Sequence, residues 1–233
     1  DRPEMRRAIL MAVKQEDYLR AVVGDDDSMF STSYSYWSKG SPMHTEAGSE
    51  LMKVRDIERA KAALKEAGYD GGKVVQLHAS DFPTITAQSL VTADLLRRLG
   101  MNLEFVATDW GTVVQRRASR EPLDKGGWSV FHTTWAGPDW WDPAAAVGMR
   151  TNGPNAWFGW PSSEKIEALR EQWFEAPDLD GQKRIAAEIQ KEAFQVVPHV
   201  PLGHFLSPSA HRTNVTGIIK SPVVLFYNMG KSG

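Results

Sequence analysis

The stretch Lys73–Thr108, KVVQLHASDFPTITAQSLVTADLLRRLGMNLEFVAT, changes its periodicity twice. Lys73 to Ala79 is a short apolar, β-branched run bounded by glycines on one side and Ser80 and Asp81 on the other, which reads as a strand. Thr84 then offers an N-cap for a helix that carries Val91, Leu95 and Leu99 on one face and stops at Gly100. Leu103 and Phe105 alternate with Glu104 in a second strand. A strand, a helix of about 15 residues and a strand form a βαβ unit, which demands parallel pairing through a right-handed crossover. The fold class is therefore α/β.

Toward the N-terminus, Asp56 is placed to cap a helix bearing Ile57, Ala60, Leu64 and Ala67, with Gly68 as its left-handed stop. Pro3 and the spacing of Met5, Ile9, Leu10 and Val13 predict a single amphipathic helix over 3–22, ended by Gly24. Between them, residues 24–50 show no sustained period and read as a long irregular loop. Loops of that length are usually functional. Asp25, Asp26 and Asp27 do not follow the calcium-loop pattern, so they read as a solvated acidic turn.

Toward the C-terminus, a helix is expected over Trp110–Arg120 and a strand over Trp128–Thr134. Ser163 and Asp178 are placed to cap two helices, one carrying Ile166, Leu169 and Trp173 and the other Ile185 and Ile189, joined by a short turn at Glu175–Pro177. Short strands at Val200–Leu206, Ala210–Arg212 and Val223–Tyr227 follow, separated by prolines.

Composition excludes several classes. The chain has 27 basic and 29 acidic residues scattered through its 233, so no basic stripe exists to neutralise a phosphate backbone and nucleic acid is not an expected partner. No apolar run approaches the roughly 20 residues that cross a bilayer. With no cysteine, zinc knuckles, redox pairs and thiol nucleophiles are all out of reach. GxSxG, Walker A, GxGxxG and HExxH motifs are missing too, so no enzyme is expected and no cofactor is called for. Six of the nine tryptophans, Trp128, Trp135, Trp140, Trp141, Trp157 and Trp160, fall within 33 consecutive positions.

Six segments, in order, carry a resemblance: RRAILMAVKQEDYLRAVVG, DIERAKAALKEAGYDGGKVVQL, LLRRLGMNLEFVATDWGTVVQRRAS, an aromatic loop ending in DWWDP, SSEKIEALREQW and EIQKEAFQVVPHVPLGHF. The chain resembles the C-terminal half of the family 5 extracytoplasmic solute-binding proteins, the oligopeptide, dipeptide and nickel receptors of ABC importers. That resemblance implies a periplasmic-binding-protein type II-like lobe with a mixed sheet, the βαβ unit and a C-terminal helical pair. Residues 1–208 would form the second lobe of a two-lobed receptor, and 209–233 would be strands returning to a first lobe that lies outside this sequence. Residues 210–233 should then pack poorly here or be held by a neighbouring molecule. The implied partners are a peptide or other small-molecule ligand, ABC permease subunits and the missing N-terminal lobe, at a periplasmic or lipid-anchored location. A nickel-chelate, opine or glycoside receptor, or the sensing lobe of a regulatory protein, are the alternatives.

The resemblance also implies a site. An Asp ahead of the loop's acid-Pro pair binds the ligand's amino group in peptide-binding members, and counting back from Asp142 and Pro143 puts Asp139 there, in a loop one residue longer than the pattern. From the residues themselves, Trp140 and Trp141 are adjacent and would face opposite ways in extended chain, one toward ligand and one anchoring the loop. Trp135, with Tyr34, Tyr36 and Trp37 of the long early loop, completes the ligand-binding candidates. As plain structure, Asp142 would cap the helix after Pro143, and Trp128 and Trp160 would belong to the core. His44, His78, His132, His199, His204 and His211 are dispersed, with no pair one helical turn apart, and do not spell a protein-built metal site.

Overall fold

The computed structural model describes residues 2–232. The first helical region is two helices, α1 (Pro3–Leu10) and α2 (Gln15–Val23), where one was expected. The first buries Ala8 and Leu10 and the second Gln15, Tyr18 and Leu19, and they are parted by a break at Lys14, whose backbone is extended. The break frees the Met11 carbonyl to accept from the Asp56 N–H at 3.0 Å and puts the fully buried Gln15 at the head of α2.

Residues 24–50 are irregular, as expected, apart from short 3-10 turns and β1 (Phe30–Ser31). Residues 24–28 are exposed, but Ser33, the run 35–38, Ser41, Met43 and Ser49 are buried. An irregular segment in a core must find partners for its peptide groups, and two buried glutamines provide them. Gln15 Nε2 donates to Ser33 O at 2.9 Å while its Oε1 accepts from Ser33 N at 2.8 Å. Gln190 Oε1 accepts from Ser35 Oγ (2.8 Å) and Tyr36 N (3.1 Å), and its Nε2 donates to Thr45 O (2.6 Å) and Ala47 O (3.0 Å).

Asp56 caps α3 (Ile57–Glu66), accepting from Glu58 N and Arg59 N at 2.9 and 3.0 Å, and Gly68 follows with φ of 78°. The βαβ unit is β2 (Lys73–Ala79), α4 (Pro83–Arg98) and β3 (Asn102–Thr108), with β2 and β3 parallel from Lys73 opposite Asn102 to Ala79 opposite Thr108. Thr84 is not the cap of α4. Pro83 already occupies the first helical position, and the hydroxyl of Thr86 donates to Ala79 O at 2.6 Å, tying helix to strand. β2 is buried on both faces, as parallel strands are. Val75, Leu77 and Ala79 pack with Ile85 and Val113, while Gln76 and His78 face α4, where both bond Ser89.

Asp109 caps α5 (Trp110–Arg116), which stops four residues short of the expected Arg120. The strand expected over Trp128–Thr134 shrinks to a parallel bridge between Val130 and Gln76. Leu77 N donates to Val130 O at 2.8 Å, but the Val75 amide goes to the Ser129 hydroxyl instead of a carbonyl, and the ladder ends there.

The C-terminal helical pair is α6 (Glu164–Glu175) and α7 (Leu179–Val196), capped by Ser163 and Asp178 as the sequence predicts. They pack together through Ile166, Trp173, Ala186 and Ile189 in the main core. Beyond α7, β4 (His204–Phe205) pairs antiparallel with β1, and β5 (Val215–Thr216) with β6 (Gly230–Lys231). Ala210–Arg212 and Val223–Tyr227 are not strands, and Val200–Leu206 is strand only at His204 and Phe205. Pro201 removes a ladder donor from the first of these runs, and Pro208 and Pro222 interrupt the chain between them. No residue from Leu206 to Ser232 is buried, and Phe226 and Tyr227 are 74% and 81% exposed.

Candidate functional site

Trp110 follows the carboxyl end of β3, and Thr133–Trp135 follow the Val130 bridge on the other side of β2. In open parallel sheets, ligands bind beyond the carboxyl ends of the strands. A recess of about 220 Å³ lies there, lined by Trp110, Arg117, Thr133, Thr134, Trp135 and Trp157.

The tryptophans form a chain of rings. Trp160 meets Trp128 at 6.2 Å between centroids, Trp128 meets Phe131 at 4.9 Å, and Phe131 meets Trp157 at 5.5 Å. Trp157 meets Trp135 at 5.3 Å, Trp135 meets Trp140 edge-on at 5.9 Å, and Trp140 meets His199 at 4.6 Å. Offset and edge-on contacts at these separations are favourable beyond the area they bury.

Asp139 sits on a short 3-10 turn, Gly137–Trp140, at the surface. Its Oδ2 accepts from Ala136 N at 3.0 Å, and its other oxygen has no hydrogen bond among the described residues. Only a turn follows Pro143, not the expected helix, and Asp142 closes that turn: its Oδ1 accepts from Ala144 N and Ala145 N at 2.8 and 2.9 Å. Trp140 points inward, so close to Gly148 that a Cβ there would lie 2.6 Å from its ring. Trp141 points out and is 41% exposed. The two rings face opposite ways, although the backbone that carries them is helical and not extended.

The early loop meets this turn through serines. Ser38 N donates to Trp140 O at 2.9 Å, Ser38 Oγ to Gly137 O at 2.6 Å, and Ser41 Oγ to Trp141 O. The aromatic candidates of that loop lie elsewhere. Trp37 is fully buried and its Nε1 donates to Ala186 O at 3.2 Å; Tyr36 is buried against Phe194, with its hydroxyl donating to His199 O at 2.9 Å. Both are committed to the core and present no free ring to a ligand. The Tyr34 hydroxyl accepts from Arg55, which is also paired with Glu16 at 3.0 Å.

The histidines are likewise engaged. His132 Nε2 bonds Thr92 Oγ1 at 2.8 Å, which in turn bonds the Tyr18 hydroxyl at 2.9 Å. Burial first, and the charge of His78 second, push His132 down to about 4, and burial pushes His199 down to about 3. Both rings are neutral at pH 7. Among the described residues no group of three or more His, Asp or Glu side chains could hold a metal ion, and no helix is long and apolar enough to cross a membrane.

Sequence reasoning passed over Arg117. Its guanidinium lies 4.5 Å from the Phe158 ring centroid and 5.6, 5.8 and 5.9 Å from those of Trp157, Trp110 and Phe131. Nothing local separates it from Arg116, which donates to Gly126 O and Gly127 O. Only the folded environment tells them apart.

Residues 1–157 match the family model for bacterial extracellular solute-binding proteins, family 5. The chain is 37% identical over 227 residues to a probable peptide ABC transporter periplasmic-binding protein of Sinorhizobium fredii, covering 97% of this chain and 43% of that protein. It superposes with a TM-score of 0.74 on a dipeptide binding protein of Pseudoalteromonas sp. SM9913 in complex with Met-Leu, at 21% identity and over 99% of this chain and 45% of that one. The receptor AgaA of A. tumefacien R10, in complex with agropinic acid, gives 0.73 at 19% identity, over 100% and 48%. The chain spans less than half the length of the curated relatives it matches. It belongs to family 5 of the bacterial extracellular solute-binding proteins, and its architecture is a lobe of their type II periplasmic-binding-protein fold.

Proposed function

We propose that this lobe closes over a peptide in a two-lobed receptor, which then presents it to the permease subunits of an ABC importer at the outer face of the cytoplasmic membrane. The observation that carries the reading is Asp139, a surface carboxylate with one oxygen fixed by the Ala136 N–H and the other free. Closing the cleft removes water, and a ligand ammonium there makes a strong charge-assisted hydrogen bond. Trp141 offers a stacking face beside it, with Trp140 and Trp135 behind as support. Ligand contacts to both lobes shift the population from open to closed. The exposed apolar residues Val224, Phe226 and Tyr227 favour reading 209–233 as a segment that packs on the other lobe. The peptide named for the Sinorhizobium relative supports the ligand class.

The test is mass spectrometry of small molecules released from the full-length receptor, followed by titration of the released ligand. Peptides are expected, and Asp139→Ala should weaken their binding roughly 10- to 100-fold, the size of a hydrogen bond to a charged group. If neither a peptide nor an amine is released and Asp139→Ala leaves affinity unchanged, the assignment fails. The agropinic acid in the AgaA complex favours an opine as the second reading, and the same spectra would show it.

A further inference from the structure

We propose that His199 is a positioning residue for the ligand: wedged between Tyr36 and Trp140, its ring ties the turn that carries Asp139 to the helical core. The inference rests on the receptor reading above, in which Asp139 meets the ligand's amine, and it names what keeps that carboxylate aimed.

The rings run unbroken from α7 to the turn. Phe194 meets Tyr36 at 4.8 Å between centroids, Tyr36 meets His199 edge-on at 4.9 Å, and His199 meets Trp140 at 4.6 Å. Phe194 and Tyr36 are buried, so one end of this run is fixed. At the other end, Trp140 is the neighbour of Asp139 in the Gly137–Trp140 turn. The Asp139 carboxylate bonds only Ala136 N among the described residues, at the head of the same turn, and so moves with it. Ser38 and Ser41 hold carbonyl oxygens of this segment, and the His199 ring holds a side chain.

The chain is strained to bring His199 there. Val197 ends α7 in the left-handed region, with φ of 50° and ψ of 65°, its amide donating to Ala193 O at 2.7 Å. A β-branched residue is out of place in that region, and Pro198 pushes the residue before it toward extended backbone. Strained residues persist where their surroundings over-determine them, and they gather at functional sites. Here two side chains pin the turn from either side: Arg6 donates to Val196 O at 2.6 Å, and the Tyr36 hydroxyl to His199 O at 2.9 Å.

The imidazole holds by ring contact and not by hydrogen bonding. His44, His78 and His132 each bond a hydroxyl through a ring nitrogen, whereas the His199 ring makes no hydrogen bond among the described residues. Edge-on contacts at these separations are favourable beyond the area they bury, and packing of this kind keeps a binding group in its productive geometry. Another flat ring should therefore serve at 199, and a polar chain of similar size should not.

The experiment compares His199→Ala, His199→Gln and His199→Phe in the full-length receptor. Calorimetric titration with free dipeptides and their N-acetyl forms gives the preference for a free amine. Amide hydrogen exchange over 137–141, without ligand, reports the turn itself. A general loss of stability weakens both forms of a dipeptide alike and leaves their ratio unmoved. His199→Ala and His199→Gln should lower that ratio roughly 3- to 10-fold and speed exchange several-fold, while His199→Phe keeps both at wild-type values. If His199→Ala is poorly folded, the other two variants decide the matter. Where dipeptides bind with a preference for the free amine, the ratio decides: a His199→Gln that keeps it, or a His199→Phe that loses it, overturns the positioning role while peptide binding stands. If the wild type binds no dipeptide the receptor reading fails, and if it binds them without that preference the Asp139 reading fails. In either case exchange alone decides: faster in His199→Gln and normal in His199→Phe upholds the role of His199, and any other pattern overturns it.

Discussion

Two irregular segments, 24–50 and 135–160, look alike in sequence, each aromatic and without period, and the structure treats their polar groups differently. In the first, Gln15 and Gln190 satisfy the peptide groups and Tyr36 and Trp37 are sunk in the core. In the second, Asp139 keeps a free oxygen, Trp141 an open face, and the nearby Arg117 an unmatched cation. Aromatic content does not distinguish a scaffold from a site. The state of the neighbouring polar groups does: where every donor and acceptor is matched within the chain, nothing is left to recognise a ligand.

The sharpest way to break this contrast is to unmatch the scaffold. Gln190→Ala strands the Tyr36 amide and two carbonyls in the core, and at about 1–3 kcal/mol for each unsatisfied buried group, partly relieved by water, it should cost about 3 kcal/mol in urea unfolding. A loss below about 0.5 kcal/mol would show that the clamp is incidental.

A second probe asks where scaffold gives way to site on the approach to 135–160. His132 is pushed down to about 4, so the folded state favours its neutral form. The unfolded chain takes up that proton first, so its stabilising effect is complete above the ordinary value near 6.5 and is lost as pH falls from there toward about 4. The slope attributable to this ring is about 1.4 kcal/mol per pH unit at most. His132→Gln should flatten the acid limb of a stability-versus-pH curve, and an unchanged limb would remove His132 from the scaffold.

The smallest stability effect belongs to Trp141. Its exposed ring should be replaceable by Ala within about 0.5 kcal/mol in unfolding, with ligand affinity falling roughly tenfold through lost stacking. A large stability loss with unchanged affinity would make Trp141 another Trp37.

What could be read in advance follows from range. Asp56, Ser163 and Asp178 act within three residues of themselves, so their capping roles were legible, as was the βαβ unit from its two periods. Thr84 misled because Pro83 begins the same helix one residue earlier. The break at Lys14 was invisible, since its reason lies in Ser33 and Asp56. Asp139 and the Trp140–Trp141 pair could be singled out in the sequence, yet Arg117 could not, because its isolation is a property of what surrounds it. Tyr36 and Trp37 had the composition of a site and the destiny of a core.

The serines that hold the turn at 137–141 grip only its carbonyl oxygens, at Gly137, Trp140 and Trp141. Every residue has that oxygen, so side chains in the turn can be exchanged without loosening the grip. If the proposed function holds, a lineage could retune ligand choice by substitution at 141 while these serine contacts keep the turn in place.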